Sequence, residues 1–268
     1  MTPSIQMPDK PSEKKSIKSD SFRNRSNEIS RIEGFSDAVL AFAVTLLVIS
    51  LEVPTTFNEL LEKMHGFIAF AISFAMLFWV WYNHYTFCRR YGLEDATTAW
   101  LTAALLFVVL FYVYPLKFLF TWLVIAYSGN NPVSHLKDGR IVPMVEQGQS
   151  TTLMLVYSIG FIAVFLVFYF LYRHAYTKRD DLELNDSETF ETKTDMQQYL
   201  ILVGIGFLSM SISLLSSSNI ASFVSGIVYS LIGPALWIHG AIMGKKKRKL
   251  LEETSQIKPL EEKGRGNK

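Results

Sequence analysis

Residues Arg31–Pro54 read RIEGFSDAVLAFAVTLLVISLEVP. A helix needs about 20 apolar residues to cross a bilayer, and Gly34–Leu51 comes close. The start of the stretch is unusual, because Arg31, Glu33, Ser36 and Asp37 enter it with the apolar run already begun. An ionisable group costs at least about 2.5–3.5 kcal/mol near the centre of a membrane helix and less near the interface. Asp37 is therefore expected to face protein or water, helped by a helix dipole that favours an anion near the amino end. The plainer alternative is that Ser36 and Asp37 cap the helix and meet the headgroups. Further along, Phe35, Ala38, Phe42, Thr45, Leu46 and Ile49 recur at spacings of three and four and form one stripe. Asp37 lies five residues before Phe42, well around the helix at about 100° per residue. Asp37 and the stripe are expected to face different partners: a neighbouring helix for Asp37, and lipid, packing or copies of itself for the stripe.

Working outward, five more segments resemble the first in length and polarity: Gly66–Phe87, Trp100–Ile125, Thr152–Tyr172, Tyr199–Leu215 and Ile220–Met243. Half of the 268 residues are hydrophobic and only 19% are charged, against about 25% in soluble domains. The charges crowd into the first 33 residues, the stretch 173–195 and the tail after Met243. This pattern excludes an ordinary soluble enzyme, a disordered chain and a disulfide scaffold. A net charge of +2 gives a nucleic-acid partner no general support. The single cysteine, Cys88, leaves no internal disulfide. No short basic stretch and small-residue cleavage site bracket the first apolar run, so it reads as a retained helix rather than a signal peptide. Six spans place both termini on one side. That side carries 22 of the 26 Lys and Arg, against three on the other, so both termini are expected in the cytoplasm. The run Lys245–Lys249 (KKKRK) then sits against anionic headgroups.

The second span adds a polar cluster at its cytoplasmic end: Trp81, Asn83, His84, Arg89 and Arg90. Asp37 and His84 fall at comparable depth, so an Asp37–His84 or Ser36–His84 hydrogen bond is geometrically allowed. The alternatives are an interfacial histidine without a partner and an aromatic belt at Trp79 and Trp81. Lys117, two residues after Pro115, is expected to snorkel toward the outer interface, and Pro234 to kink the sixth helix. Gly204, Gly206, Gly226 and Gly233 are read as close-packing positions. The acidic stretch after residue 179 reads as a solvated loop, and Ser216–Asn219 as the turn of a hairpin between the last two spans. Glu52, Glu59 and Glu62 are the acidic residues near the outer mouth. No zinc, Walker, HExxH, GxSxG or dinucleotide motif is present.

The Arg31–Pro54 segment resembles the first-helix signature of the transmembrane protein 175 family, the potassium channels of lysosomes and bacteria. The matching residues are Arg31, Phe35, Ser36, Asp37, Thr45, Leu46, Leu47 and Pro54, and the Trp81–His84 pair is similar to the family's second helix. Six spans correspond to one family repeat. The resemblance implies a homotetramer with four copies of the first helix lining a central pore. It implies apolar rings at Phe42, Leu46 and Ile49 as a hydrophobic gate, with a hydroxyl ring at Thr45. Arg31, Phe35, Ser36, Asp37, Trp81 and His84 would hold the helix in place rather than touch ions. Phe42 departs from the smaller aliphatic residue usual in the family and would make a bulkier ring.

The expectation is an all-α integral membrane protein with a polar cytoplasmic tail (1–30), a six-helix channel domain (31–244) and a basic cytoplasmic tail (245–268), in a prokaryotic inner membrane. It is expected to be a potassium-permeable cation channel, not an enzyme, and to need no cofactor or resident metal beyond the permeant ions. The TVGYG filter is absent, and its nearest string, Val203–Gly206 (VGIG), lies inside an apolar run. A constriction that gates by dewetting is the available mechanism. The competing readings are a secondary transporter, which calls for broken helices and midplane charges, and a non-conducting membrane scaffold.

Overall fold

The structure is a computed structural model that describes residues 22–26, 28–49, 55–128, 132–135, 140–146, 148–215 and 224–265. Its helices are α1 (Arg31–Ile49), α2 (Phe57–His65), α3 (Phe67–Tyr91), α4 (Ala96–Tyr127), α5 (Gln149–Thr177), α6 (Asp186–Leu215) and α7 (Ile232–Arg265). Two short antiparallel strands, Val133–His135 and Ile141–Pro143, form a small hairpin between α4 and α5. α3, α4, α5, α6 and the helical run Val224–Leu250 are long and apolar enough to cross a membrane. The chain is therefore an integral membrane protein. α1 has 19 residues, about 28 Å at the α-helical rise.

Local chemistry explains where the helices begin and end. The Ser30 hydroxyl accepts the Glu33 amide at 3.0 Å, which starts α1 a turn and a half before Ser36 and Asp37. α3 stops at Gly92, whose left-handed φ of 59° lets its amide close on the Cys88 carbonyl. Asp95 restarts the chain as the N-cap of α4, accepting the Thr98 amide at 2.9 Å. At α6, Asn185 Oδ1 accepts the Glu188 amide at 2.8 Å while the Asn185 amide donates back to Glu188 Oε2 at 3.1 Å. This reciprocal cap corrects the reading of the acidic stretch as solvated loop: residues 186–198 are helical, and Glu188 is buried.

α3, α4, α5 and α6 surround a common core of aliphatic side chains and rings. Beside the carboxyl end of α3, Phe87, Tyr91, Tyr172 and Tyr199 pack with centroids 5.1–5.6 Å apart. The Tyr91 hydroxyl meets Thr192 Oγ1 at 2.8 Å, and the Tyr199 hydroxyl donates to Asn83 Oδ1 at 2.9 Å. Tyr91 and Tyr199 thus bury their apolar rings and still satisfy their polar tips. Of the four glycines read as packing positions, only Gly206 lies against a neighbour, Ile162; the others have open space beside them. The closest approach is at Gly160, where any side chain would collide with the Tyr112 ring. Pro234 falls in the first turn of α7, just after a 3₁₀ turn at Val228–Leu231, where no amide donor is required. α7 then runs without interruption past residue 245, so the basic tail begins as a continuation of a membrane helix. The Ser216–Asn219 turn lies outside the described residues.

Asp95 also joins α4 to the end of α5. Its carboxylate lies 2.6 Å from His174 Nε2 and 2.9 Å from Lys178 Nζ. Burial pushes this carboxyl up, but hydrogen bonds from the Thr98 amide, Lys178 and His174 outweigh burial and hold it well below the usual carboxylate range. A carboxylate with a lowered folded pKa stabilises fully above its unfolded value, and the contribution is lost as pH falls through the folded value. Asp95→Asn keeps the cap and removes the charge. It is expected to lower the thermal midpoint in detergent at neutral pH, with the gap to the parent chain closing below about pH 4. A gap that does not change with pH would contradict this role.

Candidate pore helix and its anchorage

α1 has two opposed faces. Glu33, Ser36, Leu40, Ala43 and Leu47, at spacings of three and four, are buried against the protomer. On the opposite side Phe35, Ala38, Phe42 and Thr45 are exposed, with Phe35 at 62% and Phe42 at 55%. This bare face is four of the six positions of the stripe identified in the sequence. Leu46 sits at its edge, half-buried against the core. The side chain of Ile49 lies outside the described residues, as do Glu52 and the side chains of Glu59 and Glu62. Thr45 Oγ donates to the Ala41 carbonyl at 2.9 Å. Its proton is therefore engaged within the helix, and the oxygen lone pairs remain on the exposed side.

The other flank of α1 carries its polar anchors. Trp81 Nε1 on α3 donates to Asp37 Oδ1 at 2.8 Å. Glu33, whose side chain is 2% exposed, faces Arg89 at 3.3 Å between Oε1 and Nε. The Arg89 guanidinium also lies over the Tyr85 ring at 5.4 Å. At the far end of α1, Lys117 Nζ reaches the Leu47 carbonyl at 3.3 Å. A cation there meets the negative end of the helix dipole, which ties Lys117 to α1.

Of the six residues read as a holding network, the structure joins Asp37 and Trp81 directly. His84 is buried, but its Nε2 lies 3.2 Å from Thr102 Oγ1 on α4, and its hydrogen bond goes there rather than to Asp37 or Ser36. Ser36 donates to the Ile32 carbonyl of its own helix at 2.7 Å. Arg31 and Phe35 are exposed. The sequence reading named Glu33 and Arg89 without pairing them, and it missed Thr102. For Glu33 a signal existed: Ser30-x-x-Glu33 has the spacing of a capping box, which marks the true start of the helix. Among the described residues no group of His, Cys, Asp and Glu is placed to hold a metal ion.

A second anchor precedes α1. Residues 22–26 form a strap across the ends of α3 and α6. The Arg25 amide donates to the Arg89 carbonyl at 3.0 Å. Arg23 and Arg25 both bind the buried Glu188 carboxylate, at 3.0 and 2.7 Å. Phe22 packs edge-on against Tyr91 at 5.4 Å, under the Arg90 guanidinium at 4.9 Å. Arg90 in turn binds Asp195 of α6 at 2.8 Å. Arg89 and its neighbours thus hold both the pore-helix candidate and the segment leading into it.

Residues 31–112, which span α1, α2, α3 and the first half of α4, match the family described as the endosomal/lysosomal potassium channel TMEM175. A potassium channel of Marivirga tractuosa is 39% identical over 234 residues, covering 87% of this chain and 94% of that protein. The chain belongs to the TMEM175 family. A crystallised variant of the potassium channel MtTMEM175, bound to a nanobody–MBP fusion, superposes with a TM-score of 0.73 at 37% identity, covering 85% of this chain and 98% of that one. A potassium channel of Chamaesiphon minutus is 27% identical over 198 residues, 71% of this chain and 86% of that protein. The TMEM175 match takes in Glu33, Asp37, Trp81, His84, Arg89 and Thr102 of the α1–α3–α4 anchorage, and stops short of Lys117.

Removing one member of a buried ion pair leaves the other charge uncompensated, at a cost of about 3–5 kcal/mol. Arg89→Met is expected to destabilise the detergent-solubilised protein by about that much. Adding Glu33→Gln in the same chain is expected to restore part of the loss. Additive effects in this double-mutant cycle would show that the two side chains do not act as a pair.

Proposed function

We propose that the chain is a potassium-permeable cation channel, assembled as a homotetramer in which four copies of α1 line a central pore. The observation that carries this reading is the division of α1 into an anchored face and a bare one. A membrane helix buried on one side through Glu33, Ser36, Leu40, Ala43 and Leu47 leaves Phe35, Ala38, Phe42 and Thr45 exposed among the described residues. Kinship with potassium channels of the TMEM175 family supports copies of the same helix as the natural neighbours of that face. α1 would then be the sixth span, beside α3 to α7.

The constriction would be apolar. Rings of Phe42, Leu46 and Ile49 would gate by excluding water, with no TVGYG filter and no carbonyl cage. The Thr45 hydroxyl, having donated its proton to Ala41, presents only acceptor lone pairs toward the axis, the kind of ligand a partly dehydrated cation requires. Such a site favours weakly hydrated potassium with modest selectivity. Arg31, Ser36 and Asp37 would act on the position of α1, Asp37 through Trp81. His84 would act through Thr102.

Both termini would be cytoplasmic, in a prokaryotic inner membrane, with 1–30 and 245–268 flanking the channel domain 31–244. The exposed Lys245, Lys246, Arg248 and Lys249 would meet anionic headgroups, worth about 1 kcal/mol per basic residue near the surface. The reading includes no enzymatic activity, no nucleic-acid partner and no cofactor other than permeant ions.

Reconstitution in liposomes under a set membrane potential tests it. Uncoupled flux favouring potassium over sodium is expected, and no flux from an intact tetramer would sink the proposal. Phe42→Ala is expected to widen the ring and either raise flux or weaken ion preference. Unchanged conductance and preference would remove Phe42 from the pore.

A further inference from the structure

Behind the bare face of α1 lies a cavity of about 430 Å³, bounded by α3, α4, α5 and the start of α7, with Leu47 of α1 in its wall. Its lining on α4 runs from Val109 to Ala126, about 26 Å along the helix. A lining spread over that length makes the cavity elongated along the membrane helices, a tube in that sense. Interiors of proteins do not normally leave such a space unfilled, and apolar cavities of about 150 Å³ already stay dry and take up apolar molecules.

The lining also specifies the chemistry of the occupant. Its hydroxyl groups are already committed. Ser73 donates to the Ala69 carbonyl at 2.8 Å, Tyr112 to the Val156 carbonyl at 2.5 Å, Tyr157 to the Pro115 carbonyl, and Tyr229 to Ser158 Oγ at 3.0 Å. The walls therefore offer a chain of methylenes contact and offer water almost nothing. At the end of the tube nearest the carboxyl terminus of α4 sits Trp122. An indole is suited to the membrane interface, where its N–H meets a polar group and its ring stays in apolar surroundings.

We propose that this cavity is a binding site for one acyl chain of a membrane phospholipid, with Trp122 at the level of the ester group. The leaflet, the one opposite the termini, and any effect on conduction rest on the channel reading; occupancy does not. The chain would lie against Leu47, on the buried face of α1 directly behind Phe42, Thr45 and Leu46, and beside the bond from Lys117 to the Leu47 carbonyl. A filled tube adds contact behind α1 at Leu47, beyond what the protomer's own side chains supply.

Photolabelling tests occupancy without measuring flux. The purified protein is placed in phosphatidylcholine–phosphatidylglycerol nanodiscs containing a trace of phospholipid with a diazirine in mid-chain, irradiated, and mapped by peptide mass spectrometry. Adducts are expected on Leu119 and Leu123 of α4 and on Phe161 of α5, in addition to those on exposed residues such as Phe107 and Trp237. The double variant Leu119→Trp/Leu123→Trp fills the tube and is expected to lose the cavity adducts while keeping the surface ones. Where that variant does not assemble, Leu123→Ala enlarges the tube and is expected to increase them. Adducts confined to the exposed surface, or cavity adducts indifferent to filling or enlargement, would overturn the proposal, whether or not the parent chain conducts.

Discussion

A buried carboxylate facing a guanidinium, Glu33 against Arg89, is the constraint on which the placement of α1 depends. A charge at the edge of a membrane helix must find compensation inside the protein, and here the last turn of α3 supplies it through Arg89. That single requirement orients the helix. With Glu33 turned inward, Ser36, Leu40, Ala43 and Leu47 follow it into the bundle by the helical repeat, and Phe35, Ala38, Phe42 and Thr45 must face away. The bond from Trp81 to Asp37 and the reach of Lys117 to Leu47 then fix the rotation and the far end. The face that conducts, in the reading reached here, is the remainder left by what the anchors demand.

The same last turn of α3 does a second job. The Arg89 carbonyl receives the strap, Arg90 bridges to Asp195, and Glu188 gathers Arg23 and Arg25 onto the start of α6. Glu188 is the self-capping residue of its own helix, so the cap and the strap draw on one carboxylate. Protonating or removing it would unsettle both at once. The segment entering α1 is held as firmly as α1 itself, which limits how the pore-helix candidate can tilt or rotate without disturbing α6.

Much of this was legible in the sequence, for physical reasons that differ by residue. The membrane segments were visible because a bilayer admits few charges over twenty residues, and the stripe on α1 because a helix repeats every 3.6. Asp37 was correctly separated from that stripe on the same geometry. Its partner was not, because depth alone does not distinguish an indole one turn away from an imidazole: Trp81 took the bond, and His84 turned to Thr102 on a helix that the pairing argument had not considered. The acidic run before residue 199 misled because charge density ordinarily means solvent. The Asn185-x-x-Glu188 spacing was the local sign of a helix start, and two arginines more than 150 positions earlier made burial of Glu188 affordable. Close packing at Gly160 rather than at Gly204, Gly226 or Gly233 depends on which helix arrives opposite, a property of the fold and not of the glycine.

α7 has a mechanical consequence. Its 34 residues form a rod of about 51 Å, longer than the hydrocarbon layer of about 30 Å, and no break separates the part within the bilayer from the part beyond it. Its inner segment touches α6 through Lys247 and Glu191 at 2.9 Å and through His239 and Gln197 at 3.3 Å. A helix pivoting at such contacts is a lever, stiff as far as Pro259, where one backbone hydrogen bond is missing. A slight change of lean among the lipids becomes a larger sweep at the far tip, and a load applied to the tip is returned to α6 as torque.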